Sequence, residues 1–305
     1  MQPSGWRVLT QLDFNRFAAL SGDDNPIHCD PAFARTTHFG ATVAHGMFLF
    51  SLLSAQITRS FPQPVLPIAQ TLMFPRPTFV ADGVTAALAL QPSPGQGAIA
   101  LDTEIRSQQR NGGVLSDPAA EAAQVTAHGQ AHVLLDADAV GLTDQCASML
   151  AGDAVQVSGD AALYHLRVGQ SARATRAFTT ADIDEYAALS GDGNPFYTDA
   201  AFARSRGFND ALVPLPLLGG MFSDLLGTRL PGRGTGWMKQ ALRLCAAVRV
   251  GEPLTASVRI MRLRADKALV NLAADVHDAD GRIVVQGEAL VLVRNLENKR
   301  TEIAA

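Results

Sequence analysis

The chain has 305 residues, 47% of them hydrophobic and 18% charged, with a formal net charge of −4. That length allows two domains of ordinary size, and the composition supports a sizeable core and excludes a disordered chain. The slightly acidic balance, with no basic run of useful length, gives no reason to expect nucleic acid as a partner.

In chain order, the N-terminus MQPSGWRVLTQLDF lacks the apolar core of a signal peptide, and no later apolar run is long enough to span a membrane. A short helix is expected at 13–20. It leads into LSGDDNPIH at 20–28, where Asp, Asn, Gly and Pro favour a tight, locally hydrogen-bonded turn over a continuous helix or strand. A helical turn follows at 31–35, and then an apolar helix at about 46–60. That helix opens at Gly46, so the free backbone N–H groups of its first turn point out of its start. Alternating segments at 68–74, 84–90, 98–106 and 124–135 read as strands, with a polar insertion at 107–123 read as a flexible loop. Residues 136–162 show no clear period and read as a linker.

Beyond that linker the chain repeats itself. A shift of 169, from Leu20 to Leu189, lays LSGDDNPIHCDPAFAR on LSGDGNPFYTDAAFAR with 11 of 16 positions identical. A repeat of this quality fixes the architecture before any single element does. The second copy has its short helix at 181–189, a helical turn at 200–204 and its long helix at 214–229. Its strands are expected at 237–244, 254–263, 267–276 and 282–293, with a hairpin turn at Asp278-Ala279-Asp280-Gly281. One buried helix and a run of antiparallel strands, twice over, call for an α+β fold: two units side by side as an internal pseudo-dimer, within a monomer or a homodimer. The expected division is a first domain at 1–136, a linker at 137–162 and a second domain at 163–305. Cys29, Cys146 and Cys245 are too far apart for a disulfide framework or a metal-ligand spacing, so a reducing cytoplasm is the expected compartment.

The polar turn packs Asp23, Asn25 and His28 into six residues, a workable set for moving protons beside the helix start at Gly46. The sequence Ser-Gly-Asp-Asp-Asn-Pro-Ile-His at 21–28, with His-Gly-Met at 45–47, resembles the signature of MaoC-type (R)-specific enoyl-CoA hydratases, and the duplication resembles their double-hot-dog members. The resemblance implies a tandem hot-dog fold, each half a long central helix wrapped by a curled antiparallel sheet. It implies reversible hydration of a trans-2-enoyl-CoA to the (R)-3-hydroxyacyl-CoA. Asp23 and His28 would be the acid–base pair, Asn25 would hold the water or the carboxylate, and the Gly46 N–H would be the oxyanion donor. No metal and no cofactor are expected beyond the coenzyme A of the acyl-CoA substrate. A dehydratase of acyl-carrier-protein thioesters and a non-catalytic acyl-thioester-binding protein are the alternatives; Arg76, Lys239 and Arg243 are the basic candidates for a carrier phosphate.

Met47 and Ser54 are further substrate-contact candidates on the long helix. His45 is expected to cap or pack rather than react, and Cys29 to be structural. The second half keeps Asp192 and Asn194 but has Tyr197 for His28, and Pro214-Leu215-Pro216 for His45-Gly46-Met47, so it should not catalyse. Its adjacent Gly219 and Gly220, where the first helix has bulkier residues, suggest a groove for an acyl tail.

Overall fold

The computed structural model describes residues 2–92, 98–108, 123–135, 137–149 and 163–293. The first half runs β1 (Gln2–Pro3), β2 (Arg7–Val8), α1 (Gln11–Ser21), α2 (Pro26–Cys29), α3 (Pro31–Thr36), α4 (Gly46–Ser60), β3 (Val65–Met73), β4 (Gly83–Leu90), β5 (Ala98–Gln108) and β6 (Gln124–Leu135). After α5 (Ala139–Met149) the order repeats as β7 (Ser171–Arg176), α6 (Thr180–Ser190), α7 (Pro195–Thr198), α8 (Ala200–Ser205), α9 (Leu215–Asp224), β8 (Gly236–Leu244), β9 (Leu254–Arg264), β10 (Leu269–His277) and β11 (Ile283–Leu292).

Local chemistry explains why both copies take the same path into the polar turn. Thr10 and Asp13 form a capping box at the start of α1, and Gly22 ends it in the left-handed region at φ 83°. Thr179, Asp182 and Gly191 (φ 76°) do the same for α6. Asn25 then caps α2 through the Ile27 amide with Pro26 at its first position, and Asp30 caps α3 ahead of Pro31. The expected irregular turn therefore ends in a one-turn helix, and His28 sits on it.

All the strands join one antiparallel sheet in the order β1-β4-β5-β6-β3-β8-β11-β10-β9-β7, with β2 also on β4. The seam between halves is β3 against β8, with Ala69 opposite Arg243 and Met73 opposite Lys239. Helices α4 and α9 pack against each other, and Phe48, Leu53, Leu217 and Phe222 are wholly buried in one core shared by both halves. Arg16 and Glu185, equivalent positions of the repeat, pair with each other at 2.9 Å. A residue meets its own counterpart only near an axis of pseudo-symmetry, so α1 and α6 flank that axis. This is the double hot-dog arrangement.

Five expectations need correction. The 137–162 stretch opens with α5, capped by the Asp138 carboxylate on the Gly141 amide and tied down by the Ala139 amide on the Arg206 carbonyl and by buried Leu142. Residues 150–162 lie outside the described residues, as do 109–122 of the expected loop, whose first residues instead extend β5. Strand β7 is not among the expected elements, because it is an edge strand whose inward face is marked only by two small residues, Ala172 and Ala174. The long helix of the second half does not run unbroken to 229: after Asp224 it widens into a π-helical segment, Leu225–Arg229. Finally, Gly219 and Gly220 open no groove. A Cβ on Gly219 would lie 2.5 Å from Met47 Sδ, and one on Gly220 would lie 3.0 Å from Ser21 Cβ. The missing side chains let α4 and α1 pack close, which is the other use of helix glycines.

Candidate active site

The link from α1 to α2 and the start of α4 bring Asp23, Asn25, His28 and Gly46 to the wall of one cavity of about 540 Å3. Asp23 and Asn25 are 2% exposed and His28 is 8% exposed. His28 Nδ1 lies 2.7 Å from the Val43 carbonyl. A carbonyl only accepts, so Nδ1 carries the proton, and neutral His28 has its lone pair on Nε2. That Nε2 is 3.8 Å from Asp23 Oδ2, too far for a direct hydrogen bond but near enough for both to touch one water.

His45 is fully buried and stacks under His28, with ring centroids 3.8 Å apart. Its Nε2–H donates to the Asp23 main-chain carbonyl at 3.0 Å. Burial, and then the neighbouring His28, push its pKa well below the ordinary imidazole range, so it stays neutral. As the N-cap residue of α4 it makes no side-chain capping bond. The Gly46 and Met47 amides, which have no helical acceptor, stay available to a ligand. Glycine at 46 lets the helix start lie against the Phe74 ring, whose Cζ would be 2.7 Å from an added Cβ.

Burial raises the pKa of Asp23 above the ordinary carboxylate range; His28, the Ser223 hydroxyl and the Asn25 amide pull the other way. Ser223 Oγ donates to Oδ2 at 2.5 Å, and Asn25 Nδ2 donates to the Gly227 carbonyl at 3.3 Å. Ser223 and Gly227 belong to the second half, on α9 and its π-helical extension, so the two halves build this site together. Leu226, Thr235 and Trp237 line the same cavity from that side.

Ser54 is not in this site. It is the repeat equivalent of Ser223, and because α4 packs against the second half it donates to Asp192 there at 2.6 Å. A shift of 169 from Ser54 finds Ser223, provided the helices are known to trade partners. Met47 contributes at most its amide: the side chain is wholly buried against Gly219. Neither Gly219 nor Gly220 lines the cavity. Of the basic candidates, Arg76 is on the cavity wall, Lys239 is exposed on β8, and Arg243 bonds Gln286. Burial and nearby Asp23 raise the Cys29 thiol to about 11, which leaves it an inert neutral thiol.

Asp23, His28 and His45 place potential ligand atoms within 4.8 Å of one another. The two rings are within 28° of parallel and stacked, so their in-plane lone pairs run side by side and do not converge on one ion. The donor set suits proton transfer better than metal binding.

Residues 1–93 match the family described as MaoC like domain, and residues 167–287 match the FAS1-like dehydratase domain region. The chain is 40% identical over 126 residues to the (R)-specific enoyl-CoA hydratase of Aeromonas caviae, spanning 94% of that protein and 41% of this one. The chain belongs to the MaoC-like dehydratase family. As a member it is an enzyme, a hydro-lyase. It is also 34% identical over 141 residues to the (R)-specific enoyl-CoA hydratase of Rhodospirillum rubrum, which it covers to 97%, using 45% of its own length. Among solved structures, a MaoC-like dehydratase superposes with TM-score 0.70 at 16% identity over 95% of this chain and 96% of that one. A Mycobacterium tuberculosis protein described as a double hotdog fold superposes with TM-score 0.65 at 14% identity, over 95% of each chain. At those identities the structures speak for the fold alone. The MaoC-like fold is thus present twice, and the full Asp-x-Asn-Pro-x-His signature once.

Proposed function

We propose that this MaoC-like enzyme reversibly hydrates trans-2-enoyl-CoA to (R)-3-hydroxyacyl-CoA at the single site built around Asp23 and His28. The observation that carries the reading is the placement of a buried carboxylate and an imidazole, 3.8 Å apart and both open to one cavity, beside the free amides at the start of α4. The curated hydratases it resembles supply the reaction class and its stereochemistry.

In this reading a water lies against Asp23 and His28 Nε2. The pair accepts a proton from the water as its oxygen bonds to C3, and returns one to C2, so one water is added and the pair ends in its starting state. The Gly46 N–H meets the thioester oxygen, where negative charge builds up between the two proton transfers. The raised pKa of Asp23 suits it to the exchange, since a carboxyl that ionises nearer neutral pH gives and takes protons more evenly. Val43, through its carbonyl, fixes which nitrogen of His28 faces the water. Loss of enoyl absorbance from crotonyl-CoA on adding the enzyme tests the reading; no turnover at any chain length would reject it.

Relatives named as 3-hydroxyacyl-[acyl-carrier-protein] dehydratases, at 29% identity in Solanum lycopersicum and 32% in Arabidopsis thaliana, support a second carrier. Comparing kcat/KM for one enoyl group on coenzyme A and on an acyl carrier protein decides between them.

A further inference from the structure

The two aspartates of the repeat differ in how many protein donors they hold. A carboxylate has roughly four lone-pair sites. Asp192 has three of them filled by hydroxyls: Ser54 (2.6 Å) and Tyr186 (2.9 Å) donate to Oδ2, and Thr58 (2.7 Å) donates to Oδ1. Asp23, among the described residues, receives only Ser223 on Oδ2 and the Asn25 amide on Oδ1. The shift of 169 names the two absent donors. Thr58 has Gly227 as its counterpart, and Tyr186 has Phe17. Gly227 is pressed against the carboxylate, and a Cβ there would be 3.0 Å from Asp23 Oδ1. The same pattern of helices thus delivers two hydroxyls to one aspartate and none at those places to the other.

We infer that Gly227 and Phe17 are positioning residues that act by withholding hydroxyls, leaving Asp23 two lone pairs with which to hold and deprotonate water. A carboxylate held by three hydroxyls is stabilised in its charged form and has one lone pair left, so Asp192 would be the poorer base even with a histidine beside it. These three hydroxyls are therefore a second reason, independent of Tyr197, for the second site to be silent. Gly227 contributes in another way: with no side chain, its π-helical turn approaches closely enough for its carbonyl to take the Asn25 amide.

The inference rests on the hydratase reading, and its test separates the two. Phe17→Tyr adds the missing phenol at a position that does not line the cavity, and the fold already accommodates Tyr186 at the equivalent place. Turnover of crotonyl-CoA should fall about tenfold or more with KM within about threefold, the pattern of a lost transition-state interaction. The acidic limb of the kcat–pH profile should move to lower pH, because a donor to the charged carboxylate favours that form. The other groups facing Asp23, namely His28 on α2, His45 at the head of α4 and Asp224 on α9, are unchanged in this variant. Should the phenol turn away, Gly227→Ser against Gly227→Ala isolates the hydroxyl from the added carbon, and the serine variant should be the slower by several fold. Folded Phe17→Tyr with wild-type kcat, together with serine no worse than alanine at 227, would overturn the inference while wild-type turnover left the hydratase reading standing. No turnover by the wild type would remove both.

Discussion

The turn at 21–28 and the turn at 190–197 share caps, a left-handed glycine, an Asp-x-Asn-Pro core and a partner helix from the opposite half, yet their carboxylates sit in different chemical settings. Asp23 is flanked by two stacked imidazoles and receives one hydroxyl, that of Ser223. Asp192 sits in a cage of three hydroxyls, with Tyr197 and Pro214 where the imidazoles would be. The comparison teaches that an Asp-x-Asn-Pro turn is a structural device first: Asn25 and Asn194 both cap the helix that follows and reach across to the backbone of the other half. What surrounds each turn sets the chemistry of its carboxylate, and part of those surroundings comes from the other repeat. In such a pseudo-dimer, one half can lose its own active site while remaining part of its neighbour's.

The largest expected effect separates the two turns directly. His28→Ala should lower the hydration rate by roughly a hundredfold or more, the scale of a lost general acid or base. Tyr197→Phe, its mirror, should leave turnover within a few fold. A steady-state assay of both on crotonyl-CoA checks this, and comparable losses from the two would erase the distinction.

A smaller effect is expected at the exchanged serines. Ser223→Ala removes a charge-assisted bond to Asp23 Oδ2 and should reduce kcat about tenfold to a hundredfold, in line with the ~1.5–3 kcal/mol of such bonds. Ser54→Ala removes the same kind of bond from Asp192, so it should show up in the melting temperature and leave kcat nearly intact. If Ser54 proves the more damaging to turnover, the helices have been assigned to the wrong sites.

Gly219→Ala measures the packing of α9 on α4. With Met47 Sδ only 2.5 Å from the new carbon, overpacking should cost about 1–3 kcal/mol of stability in a denaturant titration. The ratio of activity on short and long enoyl chains should not change. A selective loss on long chains would restore an acyl groove at this place.

The smallest effect concerns pH and stability. Burial raises Asp23 in the folded state, so the folded protein binds that proton more readily than the unfolded chain, and the ionised carboxylate costs stability as pH rises through the folded value. Asp23→Asn should therefore melt higher than wild type at neutral pH. The advantage should shrink toward pH ~4, the ordinary carboxylate range, where Asp23 is itself neutral. A variant that melts lower at neutral pH would contradict this sign.

Much of this was legible in the sequence because duplication prints the same caps, turn and helix twice. The helices, the main strands and the cluster of Asp23, Asn25, His28 and Gly46 follow from residue chemistry and the family resemblance. What the sequence withheld is whatever depends on how the halves pack. Ser54 carries the right chemistry for a site, but α4 delivers it to Asp192, and only packing shows that Ser223 is its replacement. Gly219 and Gly220 look alike as groove or as close contact until Met47 and Ser21 are seen filling the space. His45 could be expected to cap or pack; that it stacks on one catalytic candidate and holds the backbone of the other depends on a distance of 22 residues closing in space. The π-helical turn at Gly227 leaves no mark in composition or period.

The central claim is that one chain holds one hydratase site, at Asp23 and not at Asp192. Turnover of crotonyl-CoA by Asp23→Asn and by Asp192→Asn, each corrected for folded protein, tests it most directly. Loss of roughly a hundredfold or more is expected for Asp23→Asn, against a change of only a few fold for Asp192→Asn. Equal losses, or a larger one at Asp192, would contradict it.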